Sequence, residues 1–196
     1  MPVRFVLPAD PDSDPERRVK GYHGTLADIA ARIVYEQIMY ASKNEYDWLG
    51  RGIYFWESDP QRALEWATER ASGRACAVVA VDIRLGTCLN LVYTPHRNLL
   101  AESWKDLKEE YTTASRALPV NRGKRRERDC AVLNHLCDNL DRRIDSIRCV
   151  FSEGDPVYDG AGFRKQDHIQ ICVRSELCIG ELKLYNPASV RSGATS

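Results

Sequence analysis

Two short segments in the first third of the chain contain residue types that could hold a flat, polar small molecule. They are GYHGT at residues 21–25 and GRGIYF at residues 50–55. The His23 ring offers hydrogen-bonding nitrogens, and the Tyr54 ring offers a flat aromatic surface. Each residue alone is a weak signal, because such a histidine is more often structural and a strand tyrosine usually packs in the core. Their combination favours a binding site.

A third segment, HIQICVR at residues 168–174, is predicted to be a strand. Strict alternation divides its side chains between two faces: Ile169, Ile171 and Val173 on one, and His168, Gln170 and Cys172 on the other. Polar groups that act on a ligand would therefore come from the face that carries Gln170.

The glycine-rich loop EGDPVYDGAGF precedes this strand. Glu153 at its start and Asp167 just before the strand are acids that could act on a ligand, although such residues more often lie on the surface or in turns. The aromatic side chains of Tyr158 and Phe163 suit contacts with a target molecule; alternatively, they only hold the loop in place. The glycines indicate mobility.

Seven cysteines lie mostly within apolar segments, which favours buried free thiols over disulfides. The spacing of Cys130, His135 and Cys137, with Cys172 and Cys178 elsewhere, leaves a zinc alternative open. No Cys-x-x-Cys pair is present, so we expect no metal site.

Strands are predicted where side chains alternate or valine is abundant. On residues 50–57, Ile53 and Phe55 alternate with Tyr54 and Trp56. The nearly continuous apolar run 75–83 predicts a central strand covered on both faces. Further extended segments are predicted at residues 3–7, 87–92, 146–151 and 181–185.

Helices are predicted where apolar residues recur with a period near 3.6. The first follows His23-Gly24-Thr25, which we predict to be a turn with Thr25 as the helix N-cap. A second begins at Asp59-Pro60, because aspartate caps free amide groups and proline suits the first helical position. Its predicted apolar face consists of Ala63, Leu64, Ala67 and Ala71.

Residues 96–145 have a different character and predict an inserted helical hairpin, with helices at about 98–117 and 129–143. The segment between the helices, PVNRGKRRER, is strongly basic. It could contact phosphates, but a solvated, mobile loop is the interpretation that we favour.

The whole chain has 196 residues, of which 43% are hydrophobic, and its 28 basic and 28 acidic residues cancel. This size predicts one domain spanning residues 1–196. No run approaches the roughly 18 apolar residues that a membrane span requires, and residues 1–14 have no apolar signal core. We expect a cytoplasmic protein that does not bind membranes.

Together, the His-Gly-Thr segment, the Gly-x-Gly-Ile-Tyr-Phe strand and the valine-rich strand resemble the NAD-binding core of ADP-ribosyltransferases of the diphtheria-toxin and poly(ADP-ribose) polymerase type. The resemblance covers residues 20–92 and 146–186. It implies an α+β fold in which a split antiparallel β-sheet, flanked by helices, binds NAD in a bent conformation.

The resemblance also implies roles for individual residues. His23 matches the histidine that hydrogen-bonds the adenosine ribose, and the backbone of Gly24 would meet the nicotinamide carboxamide, with Thr25 beside them. Tyr54 would line or stack on the nicotinamide. The other residues expected to contact NAD are Ser42, Phe55 and Trp66.

The third family position is a glutamate, and Gln170 occupies it in this chain. Glutamine keeps the hydrogen bond to the nicotinamide ribose but lacks the charge that stabilises the transition state, a type of contribution worth roughly 3 to 4 kcal/mol. Glu153 is the candidate that could restore this charge. Because elongation of ADP-ribose chains generally requires the glutamate, the resemblance implies transfer of a single ADP-ribose.

The sequence therefore predicts an NAD-dependent mono-ADP-ribosyltransferase that modifies a protein or a nucleic acid, with NAD as substrate. The alternatives are an NAD glycohydrolase, which transfers ADP-ribose to water, and an inactive module that binds NAD or ADP-ribose. The motifs are also similar to those of bacterial proteins in toxin or phage-defence settings, and a toxin would imply a neutralising antitoxin as partner.

Overall fold

The computed structural model describes residues 5–187, which form an α+β fold with a seven-stranded, mostly antiparallel sheet. The predicted strand at residues 3–7 lies partly outside this range. Phe5 makes only an isolated bridge to Leu140, so its described part is not a regular strand.

The large sheet has the strand order β4-β7-β8-β2-β1-β3-β9, and the only parallel pair described in it is β4 with β7. Strands β5 and β6 form a separate two-stranded hairpin. The strands are β1 Arg18–Leu26, β2 Ile53–Glu57, β3 Cys76–Arg84, β4 Cys88–Asn90, β5 Asn121–Arg122, β6 Arg125–Arg126, β7 Ser146–Phe151, β8 His168–Val173 and β9 Lys183–Leu184.

Helices cover the sheet and form the insertion. They are α1 Ala27–Glu36, α2 Pro60–Arg70, α3 Thr94–Thr113 and α4 Glu127–Asn139, and one 3-10 turn spans Glu176–Cys178. The Asp59 side chain accepts a hydrogen bond from the Arg62 amide at 2.8 Å, which confirms the predicted cap of α2. Leu64 is 42% exposed, so its placement on the apolar face of α2 was wrong.

His23-Gly24-Thr25 is not the predicted turn. These residues continue β1, where they pair in register with Val79, Val78 and Ala77 of β3. The prediction that Thr25 caps a helix is also wrong, because Leu26 occupies the N-cap of α1 and makes no side-chain cap bond. Pairing along the whole nine-residue β3 keeps this segment extended.

Strands β1 and β2 pair only briefly. Their register pairs are Gly21 with Glu57 and Tyr22 with Trp56, whereas β2 remains paired with β8 back to Ile53. Strand β1 continues along β3 to Leu26. The two strands therefore diverge after Tyr22, which opens a gap within the sheet.

Apolar side chains fill both sides of the sheet. Phe55, Val79 and Ile171 are fully buried in the core beneath α1. On the other side, Leu136 of α4 packs with Ile147 of β7 in a second core. The α3–α4 insertion is thus anchored to the sheet by its own apolar face.

The basic segment between α3 and α4 is an ordered hairpin rather than the predicted loop. Its strands pair Asn121 with Arg126 and Arg122 with Arg125. Trp48 donates a hydrogen bond from Nε1 to the Lys124 carbonyl at 3.0 Å. We call residues 121–126 the basic hairpin.

All seven cysteines are free thiols. Cys130, Cys172 and Cys178 are buried, but the other four are only partly buried, which corrects the expectation that all would be buried. Within residues 5–187, no cluster of three or more histidine, cysteine, aspartate or glutamate side chains could hold a metal ion.

Candidate functional site

A cleft of about 520 Å³ lies at the gap between β1 and β2. Six residues expected from the sequence line it: His23, Ser42, Tyr54, Trp66, Glu153 and Gln170. They come from β1, β2, β8, α2 and two loops, so the fold brings together groups that are up to 147 positions apart, from His23 to Gln170.

The His23 ring has a defined tautomer. Its Nδ1 lies 2.9 Å from the Tyr54 carbonyl oxygen, and because a carbonyl only accepts, Nδ1 must carry the hydrogen. Burial lowers the pKa of His23, against a smaller opposing effect of the Tyr54 carbonyl. The neutral ring therefore leaves Nε2 as an acceptor, suited to a sugar hydroxyl.

The Gly24 backbone has its polar groups at the gap. In an antiparallel strand, alternate residues direct their N–H and C=O groups to opposite neighbours. The Lys20 carbonyl accepts from Ser58 on the β2 side, so Gly24, four residues later, has its amide and carbonyl on that side too. A planar carboxamide could pair with both groups.

Gly24 also allows helix α2 to approach closely. A Cβ atom at this position would lie 1.8 Å from the Ala63 carbonyl oxygen. Of the described residues, those lining the cleft include neither Gly24 nor Thr25. Thr25 pairs with Ala77 of β3 and is half-buried, so the expected contact of its side chain with NAD receives no support.

Tyr54 offers its ring rather than its hydroxyl to the cleft. The hydroxyl donates to the Gly50 carbonyl at 2.6 Å and accepts from the Leu49 amide at 3.0 Å. Burial raises the pKa of Tyr54 far above its usual range, so it remains neutral. Phe55 is fully buried in the opposite core, which corrects the expectation that its side chain contacts NAD.

Gln170 occupies the floor of the cleft. It is half-buried and pairs with Trp56 of β2 and Cys149 of β7. The register opposes Tyr54 to Cys172 and Trp56 to Gln170, which confirms the predicted faces of β8. The Gln170 backbone is thus fixed between two strands, and its side chain lies on the same face as Tyr54.

Trp66 of α2 and Ser42 of the segment before β2 both line the cleft. The Trp66 ring packs 5.5 Å from the Trp56 ring, and the Arg70 guanidinium lies 4.1 Å from its centroid. Ser42 exchanges backbone hydrogen bonds with Gly52 at 2.8 and 3.3 Å, and its hydroxyl donates to Asp47. The hydroxyl is therefore already engaged within its own wall.

Glu153 lies at the end of the cleft nearest the glycine-rich loop. Its Oε2 is 3.4 Å from Arg62 Nη2 and 4.0 Å from His168 Nδ1. Asp167 instead bonds Ser152 and the Arg164 amide within the loop. Of the two acids considered from the sequence, Glu153 is therefore the one that lines the cleft.

Several residues of the cleft were not singled out from the sequence: Tyr40, Tyr46, Asp47, Trp48, Trp56, Arg62, Lys124 and Arg125. Burial raises the pKa of Asp47, partly offset by hydrogen bonds from Ser42 and Asn44. Arg62 is only 6% exposed. No sequence pattern marked Arg62, because arginines on amphipathic helices usually face solvent.

Comparison of the sequence with models of known families and with curated proteins finds no match. Among residues 5–187, no helix has the length and apolar character needed to cross a bilayer. Cys130 and His135 have separate partners, since Cys130 contacts Asn44 and His135 bonds Asp106 at 2.7 Å.

Proposed function

We propose that this protein is an NAD-dependent mono-ADP-ribosyltransferase that modifies a macromolecule. The observation that carries the proposal is the divergence of β1 from β2 after Tyr22 and Trp56, beside a cleft that is lined by His23, Tyr54 and Gln170. A split antiparallel sheet with these residues around the gap is what the resemblance to ADP-ribosyltransferases implies.

Each group fits a separate part of NAD. The Gly24 amide and carbonyl suit the nicotinamide carboxamide, and the Tyr54 ring suits the face of the pyridine ring. His23 Nε2 suits a hydroxyl of the adenosine ribose. The Gln170 amide suits the hydroxyls of the nicotinamide ribose, next to the bond that breaks.

In the proposed reaction, the bond between ribose C1′ and the nicotinamide nitrogen breaks, and its electron pair neutralises the pyridinium. A nucleophile of the acceptor then forms a bond to C1′ and loses a proton. Tyr54 and Gly24 hold the leaving group, so the reacting carbon stays aligned.

Gln170 determines the expected rate. An amide stabilises developing positive charge less than a carboxylate does, and groups of this kind are worth roughly 3 to 4 kcal/mol. The missing charge specifically favours a second candidate function, in which the cleft binds NAD or ADP-ribose without turnover. An NAD glycohydrolase differs only in using water as acceptor.

The test uses NAD labelled in its adenylate half, incubated with the purified protein and a cell lysate. We expect covalent label in a macromolecule, and protease and nuclease digestion identify its class. His23→Ala should abolish the label, while Gln170→Glu should increase it. The matched control Gln61→Glu, on the exposed side of α2, should change nothing.

Three outcomes separate the candidates. Free nicotinamide without labelled macromolecule identifies a glycohydrolase. NAD binding without turnover, unchanged by Gln170→Glu, identifies a binding module. Neither binding nor nicotinamide release, in both wild type and His23→Ala, overturns the proposed function.

A further inference from the structure

Four buried nitrogen atoms near the end of the cleft have no hydrogen-bond partner within the described part of the chain. They are Trp56 Nε1, Arg62 Nε, Arg62 Nη1 and His168 Nε2. The three residues are 2%, 6% and 7% exposed, respectively. A buried polar group without a partner costs about 1 to 3 kcal/mol, and a charged one costs more. A ligand that supplies the partners would recover this free energy.

These residues form one cluster with Glu153, which we call the orphan cluster. Glu153 Oε2 lies 3.4 Å from Arg62 Nη2 and 4.0 Å from His168 Nδ1. The His168 and Trp56 ring centroids are 6.4 Å apart. Trp56, Arg62 and Glu153 all line the cleft, so a ligand in the cleft reaches the cluster.

The cluster offers both donors and acceptors. Arg62 and Trp56 only donate, whereas the Glu153 carboxylate accepts. His168 Nδ1 lies 2.6 Å from the Gln166 carbonyl, so this nitrogen carries a hydrogen, and Nε2 is the ring nitrogen that lacks a partner. The complementary ligand therefore has acceptor and donor atoms side by side, as on the hydrogen-bonding edge of a nucleobase.

The position of the cluster is beside the reacting centre. Trp56 is the cross-strand partner of Gln170, and His168 is two residues before Gln170 on the same face of β8. Gly24 and His23 lie across the gap on β1. The cluster is thus placed to hold the group that attacks the ribose.

The rim of the cleft has the features of a single-strand nucleic-acid surface. Residues 120–128 contain five basic residues and one acidic residue, and Lys124 and Arg125 line the cleft. The Arg125 guanidinium lies 4.5 Å from the centroid of the Tyr46 ring, and Tyr40 is 81% exposed. Cations bind phosphates and aromatic rings stack on bases.

Resting on the proposed function, we propose that the acceptor is a nucleobase in single-stranded nucleic acid, held at its edge by the orphan cluster. A nitrogen of the base forms the bond to ribose C1′ while the bond to nicotinamide breaks. The proton on that nitrogen passes to the Glu153 carboxylate. Arg62 and Trp56 position the base by donating to its acceptor atoms.

The test incubates the protein with labelled NAD and short single-stranded DNA or RNA of mixed sequence. The same sequences as duplexes and a denatured lysate protein mixture are run in parallel. We expect label in the single strands and little in the duplexes, because pairing occupies the base edges. Label in protein alone, or equal labelling of duplex and single strand, overturns the proposal.

Two variants test the cluster directly. Trp56→Phe removes the indole N–H donor together with the five-membered part of the ring system, so we expect the KM for the oligonucleotide to rise about tenfold, with a smaller effect on NAD affinity. Trp104→Phe, on α3 beneath Arg128, is the matched control and should have no effect. Glu153→Gln should reduce transfer by about 10² to 10⁴ without loss of NAD binding.

The two proposals fail in different ways. If the wild-type protein neither binds NAD nor releases nicotinamide, both the proposed function and the nucleobase acceptor are contradicted. If the protein turns over NAD normally but transfers ADP-ribose to protein, only the proposal of a nucleobase acceptor is contradicted. Trp56→Phe and Trp104→Phe with equal oligonucleotide KM values would contradict the role of the orphan cluster, even if nucleic acid were labelled.

Discussion

The hydrogen bond from His23 Nδ1 to the Tyr54 carbonyl connects two residues that are 31 positions apart. This bond holds β1 to β2 beyond their last register pair, at Tyr22 and Trp56. It also determines which ring nitrogen of His23 remains available. The histidine is therefore both a structural link across the gap and a candidate ligand contact.

The lowered pKa of His23 has a defined consequence for stability. Histidine in an unfolded chain titrates near pH 6.5, whereas burial lowers the pKa of His23 in the folded protein. Between the two pKa values the unfolded chain binds more protons, so the free energy of unfolding rises with pH. The contribution of neutral His23 to the free energy of unfolding is fully present above about pH 6.5. Below that pH the free energy of unfolding falls, by at most about 1.4 kcal/mol per pH unit.

Denaturant unfolding of wild type and His23→Asn at about pH 7.5 and 5.5, on either side of the unfolded histidine pKa, measures this effect. Asparagine cannot titrate but retains an amide donor for the Tyr54 carbonyl. We expect the stability difference between the two proteins to shift in favour of the variant at the lower pH. A difference that stays constant over this range would contradict the prediction.

Residue types and local patterns identified His23, Tyr54 and Gln170, which the fold does gather around one cleft. They did not identify Arg62, because its burial depends on the packing of α2 against β1 and on the position of Glu153, 91 residues later. The expected contact of Phe55 with NAD was wrong although alternation placed Phe55 correctly, because Phe55 faces the core on the side of β2 opposite to Tyr54. Contacts between distant segments leave no local signal.

At the scale of elements, the packing of α2 on β1 depends on Gly24. A Cβ atom there would lie 1.8 Å from the Ala63 carbonyl oxygen and 2.6 Å from the carbonyl carbon. Both are backbone atoms, so only a shift of the helix or the strand could relieve the overlap. The helix also carries Arg62 and Trp66 into the cleft.

Gly24→Ala is therefore expected to destabilise the fold by about 1 to 3 kcal/mol, the usual cost of overpacking, and to weaken NAD binding. Denaturant unfolding and calorimetric titration with NAD measure the two effects. Gly162→Ala is the matched control, because a Cβ there meets nothing within 4 Å, and its effect should stay within about 0.5 kcal/mol. Equal stability of the two variants would show that α2 tolerates the added methyl group.

Element prediction succeeded where the periodic signal was strong. Alternation located β2 and β8 with the correct faces, and Asp59-Pro60 located the start of α2. The His-Gly-Thr turn was wrong because pairing with β3 overrides the local preference of glycine. The basic hairpin was missed because strands of two residues have no measurable period.

At the scale of the whole molecule, the balance of 28 basic and 28 acidic residues conceals an uneven distribution. The basic hairpin belongs to the insertion, yet it lies against the wall of the cleft, where Arg126 donates its amide hydrogen to the Tyr46 carbonyl at 3.2 Å. Its local positive charge is therefore placed where a phosphate chain would enter.

This placement predicts the salt dependence of nucleic-acid binding. Each phosphate contact to a single strand contributes about −0.7 to the slope of log K against log salt concentration. Replacing both Lys124 and Arg125 with alanine should therefore make the slope shallower by about 1.4, as measured by fluorescence anisotropy of a labelled single-stranded oligonucleotide at several salt concentrations. The control Arg32→Ala with Lys108→Ala removes the same charge from exposed positions on α1 and α3, and it should leave the slope nearly unchanged. The basic hairpin could instead contact the diphosphate of NAD. In that case the double variant will lose NAD affinity, and its oligonucleotide slope will match that of the control, because Lys124 and Arg125 then bind the dinucleotide and not the acceptor strand.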